Sequence, residues 1–143
     1  MIELEFFIPG KPKGKGRPRF IKTGRTYTPE DTANYENWVR LCYMQEAKKN
    51  GIEPIPADEP VQVYIRAFEL VPKSFSKART EKALDGRMFP TKKPDCDNII
   101  KIICDALNGV AYHDDKQVVR VSCRKEYHFD REGVFVTVER INV

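Results

Sequence analysis

The chain has 143 residues, with 25 Lys and Arg against 21 Asp and Glu, a net charge of +4 and 41% hydrophobic residues. That length supports one domain with a real core and is too short for two ordinary ones, and the composition excludes a disordered chain. No stretch approaches the ~20 apolar residues of a membrane helix, and the N-terminal Met1-Ile2-Glu3-Leu4-Glu5 has no positive region leading into an apolar run, so a cytoplasmic protein without membrane association is expected.

Ile2, Leu4, Phe6 and Ile8 alternate with other residues, which predicts a first strand closed by Pro9-Gly10. Residues 11–25 carry Lys11, Lys13, Lys15, Arg17, Arg19, Lys22 and Arg25 with no acid among them, and Pro12, Gly14, Gly16, Pro18 and Gly24 break the stretch into a loop or irregular hairpin. A basic stripe of this kind is the electrostatic footprint of a phosphate partner. Gly14 and Gly16 would let backbone amides approach phosphates, and Phe20 and Tyr27 are read as anchors of the loop.

Thr28 as N-cap, Pro29 at the first helical position and the acids Glu30 and Asp31 start a helix. Its buried stripe is expected at Tyr35, Trp38, Val39, Cys42 and Tyr43, and its end before Gly51. Val61, Val63, Ile65 and Ala67 alternate as a second strand. Ser74 is placed as the cap of a short helix running to about Leu84 and stopped by Gly86, followed by a basic loop with Lys92 and Lys93. Residues 95–107 form a helix that packs through Ile99, Ile102, Ile103 and Ala106 and ends at Asn108-Gly109. Val119, Val121 and Cys123 mark a third strand and Val134, Val136 and Val138 a fourth, with residues 130–133 as the turn of a hairpin between them. The order β-α-β-(α)-α-β-β predicts a single α+β domain over residues 1–143. Its mixed sheet has about four strands, with helices mainly on one face. Cys42, Cys96, Cys104 and Cys123 lack C-x-x-C spacing and form no zinc pattern with His113 and His128, so reduced, mostly buried thiols are expected.

The chemistry concentrates in Lys93-Pro94-Asp95-Cys96-Asp97-Asn98-Ile99-Ile100-Lys101 and the later Asp114-Asp115. At a helix N-terminus the chain turns, so Asp95 and Asp97 can converge on one cation, and Lys101 follows Asp97 by one turn on the same face. Mg²⁺ takes oxygen ligands and keeps several waters, so two or three carboxylates suffice. Each acid alone also has a structural reading, as a cap, a dipole partner or a turn residue; clustered carboxylates repel one another unless a cation holds them.

The run from Asp95 to Lys101, then Asp105-Ala106-Leu107 and Asp114-Asp115-Lys116-Gln117-Val118, resembles the RusA family of Holliday junction resolvases, whose signature is D-x-D-N-x-x-K, D-A-L and D-D-x-Q-V. Arg17-Pro18-Arg19 and the segment holding Tyr27-Thr28-Pro29 and Tyr35-Glu36 are similar to that family too, and the resemblance covers most of the chain. It implies a homodimeric, Mg²⁺-dependent endonuclease, with Mn²⁺ as a possible substitute and no small-molecule cofactor, that nicks paired strands at four-way DNA junctions. By position it implies Asp95, Asp97 and Asp115 as catalytic metal ligands and Lys101 as the catalytic lysine. Asp114 becomes a helper, and Asp105 a structural or supporting residue. Lys11, Lys13, Lys15, Arg17, Arg19, Lys92 and Lys93 are the expected DNA contacts. Residues 72–91 are longer than the corresponding link in some members. The rival expectations are a nucleic-acid-binding module with structural acids, and a flap or branched-DNA nuclease without junction preference.

Overall fold

Leu4, Phe6 and Ile8 are buried, as are Val61, Val63, Ile65 and Ala67 and, near the C-terminus, Val134, Val136 and Val138. Period-two burial of this kind puts one face of each strand into a core. The computed structural model describes residues 2–16, 19–20, 26–27 and 30–141, with side chains for 4–16 and 30–141, and aligns these three sets in one sheet. Strand β1 (Ile2–Pro9) pairs antiparallel with β6 (Gly133–Arg140), and β6 pairs antiparallel with β4 (Val61–Leu70). The register sets Leu4, Val138 and Val63 in one row, Phe6, Val136 and Ile65 in the next, and Ile8, Val134 and Ala67 in a third.

β5 (Val118–His128) runs parallel to β4 at the edge, giving the order β1-β6-β4-β5. The expected hairpin between the last two strands is therefore corrected: both exist, but β4 lies between them and residues 129–132 cross its end. The physical reason is burial. β4 is apolar enough for a central position, whereas β5 leaves Val119 and Val121 exposed, as an edge strand does. Val121 and Cys123 stand in register with Val63 and Ile65, and Val119 is passed over at the irregularity beside Val61 and Gln62.

Helix α1 (Glu30–Asn50) buries Tyr35, Val39, Tyr43 and Ala47, one residue per turn, with Tyr43 edge-on to Phe6 at 5.3 Å. Trp38 does not join this stripe; it is exposed and its Nε1 donates to the carbonyl of Pro9 at 2.8 Å. Acids in the first turn and Lys48 and Lys49 in the last complement the helix dipole, and Gly51 follows at φ 64°. Helix α2 (Lys77–Leu84) is capped by Ser76, whose Oγ accepts from Arg79 N at 3.2 Å, not by Ser74. Ser74 is already used inside a turn closed by Phe75 N donating to Pro72 O.

Helix α3 (Cys96–Ala106) sends Ile99, Ile102, Ile103 and Ala106 into the core as expected. In the basic segment, β2 (Arg19–Phe20) and β3 (Thr26–Tyr27) pair antiparallel, so the irregular-hairpin reading holds. The capping roles expected of Thr28 and Pro29, and the side-chain roles of Arg17, Arg19, Phe20, Lys22, Arg25 and Tyr27, lie outside the described residues. All four cysteines are free but only Cys104 is buried; burial pushes its thiol up to about 11. Among the described residues no helix is long and apolar enough to cross a membrane.

Candidate active site

Asp95 occupies the N-cap position of α3 with extended backbone (φ −72°, ψ 153°), yet its carboxylate makes no capping hydrogen bond. Asp97 follows in the first turn, and both are exposed. The structural reason for an acid at this position is thus not exercised by Asp95, which leaves its oxygens facing solvent. The peptide joining Lys93 to Pro94, just before this turn, is cis.

The basic arm lies directly against this helix end. Lys15 N donates to Asn98 O at 3.0 Å, and Gly16 N donates to Thr32 Oγ1 at 3.0 Å. A Cβ on Gly14 would sit 2.8 Å from Asn98 Cβ and 3.1 Å from Pro94 Cβ, so the arm can approach this closely only because residue 14 has no side chain. The glycines expected to admit phosphates therefore serve the arm's own seat: Gly14 makes the contact and Gly16 spends its amide on α1. Lys11, Lys13, Lys93, Asp95 and Asn98 line a cleft of about 550 Å³ along this junction.

Further along α3, Asp97, Lys101 and Asp105 follow at one-turn intervals. Lys101 Nζ reaches to 4.0 Å from Asp105 Oδ2, and Lys15 Nζ to 3.2 Å from the same oxygen and 2.9 Å from Glu36 Oε2 on α1. Lys15 thus joins arm, α1 and α3 through one ammonium. Burial lowers its proton affinity, but the hydrogen bonds to Glu36 and Asp105 outweigh that and hold it above the ordinary lysine value.

Asp115 begins a single turn of 3₁₀ helix, Asp115–Gln117, capped by Asp114. Asp114 Oδ1 accepts from Lys116 N at 2.9 Å, and this bond holds its carboxyl below the usual range. The side chain of Gln117, buried, accepts from His113 N at 2.8 Å and Asp114 N at 3.1 Å and donates to Pro56 O at 2.8 Å and Glu59 O at 3.1 Å. These bonds fix the acidic turn to the connection before β4. Asp115 is half-buried; burial, then the nearby carboxyls of Asp105 and Asp114, raise its proton affinity. The carboxyls that bear on Asp115 are accordingly those of Asp105 and Asp114 rather than those of Asp95 and Asp97. Among the described residues no three acidic, His or Cys side chains close into a set of cation ligands.

The donors on offer are oxygen only, the kind Mg²⁺ takes: the carboxylate of Asp95, excused from capping, and that of Asp115, with like charges nearby. Because Mg²⁺ keeps most of its waters, a closed protein cage is not required. Glu36, Gln117 and the support of Asn98 for the arm were not assigned from the sequence. Gln117 stands inside the D-D-x-Q-V match, but its partners at residues 56 and 59 are far away in the chain, and only burial reveals its task.

Acids on a helix end, faced by a cation-bearing arm and a basic cleft, define a protein that handles a phosphate backbone. Residues 9–139 match the family described as Endodeoxyribonuclease RusA, and the chain belongs to that family of DNA endonucleases. It is similar to a Bacillus subtilis (strain 168) protein that bears the name Uncharacterized protein YqaN, with 35% identity over 129 residues and 87% of each chain covered.

Proposed function

We propose that the protein resolves four-way DNA junctions as a Mg²⁺-dependent homodimer, cutting one strand per active site. The observation that carries this reading is Asp95: an acid at a helix start, excused from capping, on the wall of a cleft whose lining also holds Lys11, Lys13, Lys15 and Lys93, with Asp31 as the one other acid. Asp95, Asp97 and Asp115 would hold Mg²⁺, or Mn²⁺ in its place, which supplies charge neutralisation at the phosphate and a more acidic attacking water. Lys101, steered by Asp105, contacts the scissile phosphate. Lys11, Lys13, Lys92 and Lys93 set the path of the backbone without reading sequence, and Gln117 keeps the Asp115 turn from drifting. Two symmetric strands at a junction match two symmetric sites in a dimer.

The test is cleavage of a synthetic four-way junction in Mg²⁺ and in EDTA, beside linear duplex and flap substrates. Paired nicks confined to the junction, lost in EDTA, are expected. Asp97→Asn should bind the junction and leave it uncut. Equal cutting of flap and junction would replace the reading with a general branched-DNA nuclease, and full activity of Asp97→Asn would overturn the site.

A further inference from the structure

A second cleft of about 510 Å³ lies beside α2, within the roughly 300–1,000 Å³ typical of sites for small organic groups. We propose that it receives an unstacked nucleotide of the branched DNA whose backbone passes the carboxylates. The proposal rests on the nuclease reading above and deepens it.

The walls are aromatic. Phe75 carries the Arg79 guanidinium over its ring at 4.1 Å and meets Tyr127 edge-on at 5.7 Å. Phe89 also lines the cleft and is 53% exposed, so its ring is open to an incoming flat group. The base of a nucleotide is flat and stacks on such rings regardless of its identity, and the nucleotide's phosphate can meet the cations that line the cleft.

The charges narrow the occupant. Lys11, Arg79 and Lys92 line the cleft together with Glu69 and Glu132. A bare phosphate site would exclude carboxylates; a base has exocyclic amino groups that donate to them. The cleft also adjoins the one beside Asp95. Lys11 lines both clefts, and Lys92 immediately precedes Lys93, which lines the one beside Asp95. Lys125 Nζ holds the carbonyl of Lys92 at 2.6 Å, so this link between the two is fixed to β5. An intact duplex keeps its bases stacked, whereas at a branch point unstacking costs least. The occupant is therefore a nucleotide at the crossover.

Affinities of Phe89→Ala, Phe89→Trp and the native protein for a four-way junction and for linear duplex, measured in EDTA, test this without any cutting. Phe89→Ala is expected to weaken junction binding about 5- to 100-fold and leave duplex binding unchanged, and Phe89→Trp to restore the junction affinity. With 2-aminopurine beside the crossover, binding should change its emission for the native protein and Phe89→Trp but not for Phe89→Ala. Equal losses on both DNAs, or none on the junction, would overturn the proposal. A junction preference that depends on Phe89 in a protein that never cuts would sink the nuclease reading and leave the cleft standing. Normal junction cutting with Phe89→Ala binding as tightly as the native protein would do the reverse.

Discussion

Lys15→Met would leave Glu36 without its cation and Asp105 with only the looser contact to Lys101. In the native chain the Lys15 side chain is 17% exposed, Glu36 11% and Asp105 22%. Breaking a fully buried ion pair costs about 3–5 kcal/mol, while an exposed pair is worth at most ~1 kcal/mol. These groups sit between those limits and nearer the buried one, so a loss of about 2–3 kcal/mol is expected. For a domain of this size that lowers Tm by about 5–12 °C. The pH dependence has a definite sign. The folded-state pKa of Lys15 is raised above its unfolded value of 10.5, so the stabilisation is complete below that value and fades as pH rises through the folded one. Thermal melts followed by circular dichroism at pH 7 and at higher pH should show a wide gap between native and variant that closes only in strong alkali. Removing both carboxylates as well, in Lys15→Met/Glu36→Gln/Asp105→Asn, should recover most of the loss. A Lys15→Met protein that melts within about 1 °C of the native one at pH 7, or a triple variant no more stable than the single, would refute the reasoning.

Ser76→Ala should cost about 1 kcal/mol, because Ser76 Oγ holds Arg79 N, whereas Asp95→Ala should cost less than about 0.5 kcal/mol in denaturant melts because no capping bond is lost, while abolishing cleavage. Gln117→Leu removes four part-buried hydrogen bonds between the buried side chain of Gln117 and residues 113, 114, 56 and 59; urea unfolding should register a loss of about 1–3 kcal/mol. Glu126 is held below its ordinary value chiefly by hydrogen bonds from the Arg66 guanidinium, at 2.8 and 3.0 Å, so its contribution is present above the unfolded value and disappears as pH falls through the folded one. With Arg66 47% exposed, Glu126→Gln should cost only about 0.5–1 kcal/mol at pH 7, and the difference should vanish once pH has fallen through the folded-state value of Glu126, which paired melts along a descending pH series would check.

The parts of this molecule written locally are legible in its sequence. The apolar spacing of Ile99, Ile102 and Ile103 and the stop at Gly109 give α3 almost to the residue, and alternation gives each of the long strands. The failures are long-range. Nothing near residues 118–140 tells β5 and β6 that β4 will separate them; that depends on β4 having the apolar surface for the middle of the sheet. Two serines two residues apart compete to cap α2, and the turn closed by Phe75 decides between them. The acids stand out along the chain by their spacing, but the partners of Lys15 come from positions 36 and 105 and those of Gln117 from 56 and 59, so no window of sequence holds either arrangement.

The pairing of β1 with β6 has a consequence in time. Residues 2–9 are made before their sheet partner, 133–140, and at roughly 5–20 residues per second synthesis of the stretch between takes on the order of ten seconds. Until then β1 lacks its neighbour, and so does the arm that leaves β1 at Gly10, whose amide is held by Glu132 O. A chain interrupted before β6 carries the acids of α3 without the frame that brings lysines against them. Seating of the arm and closure of the sheet arrive in the same event, once residues 133–140 are available to pair.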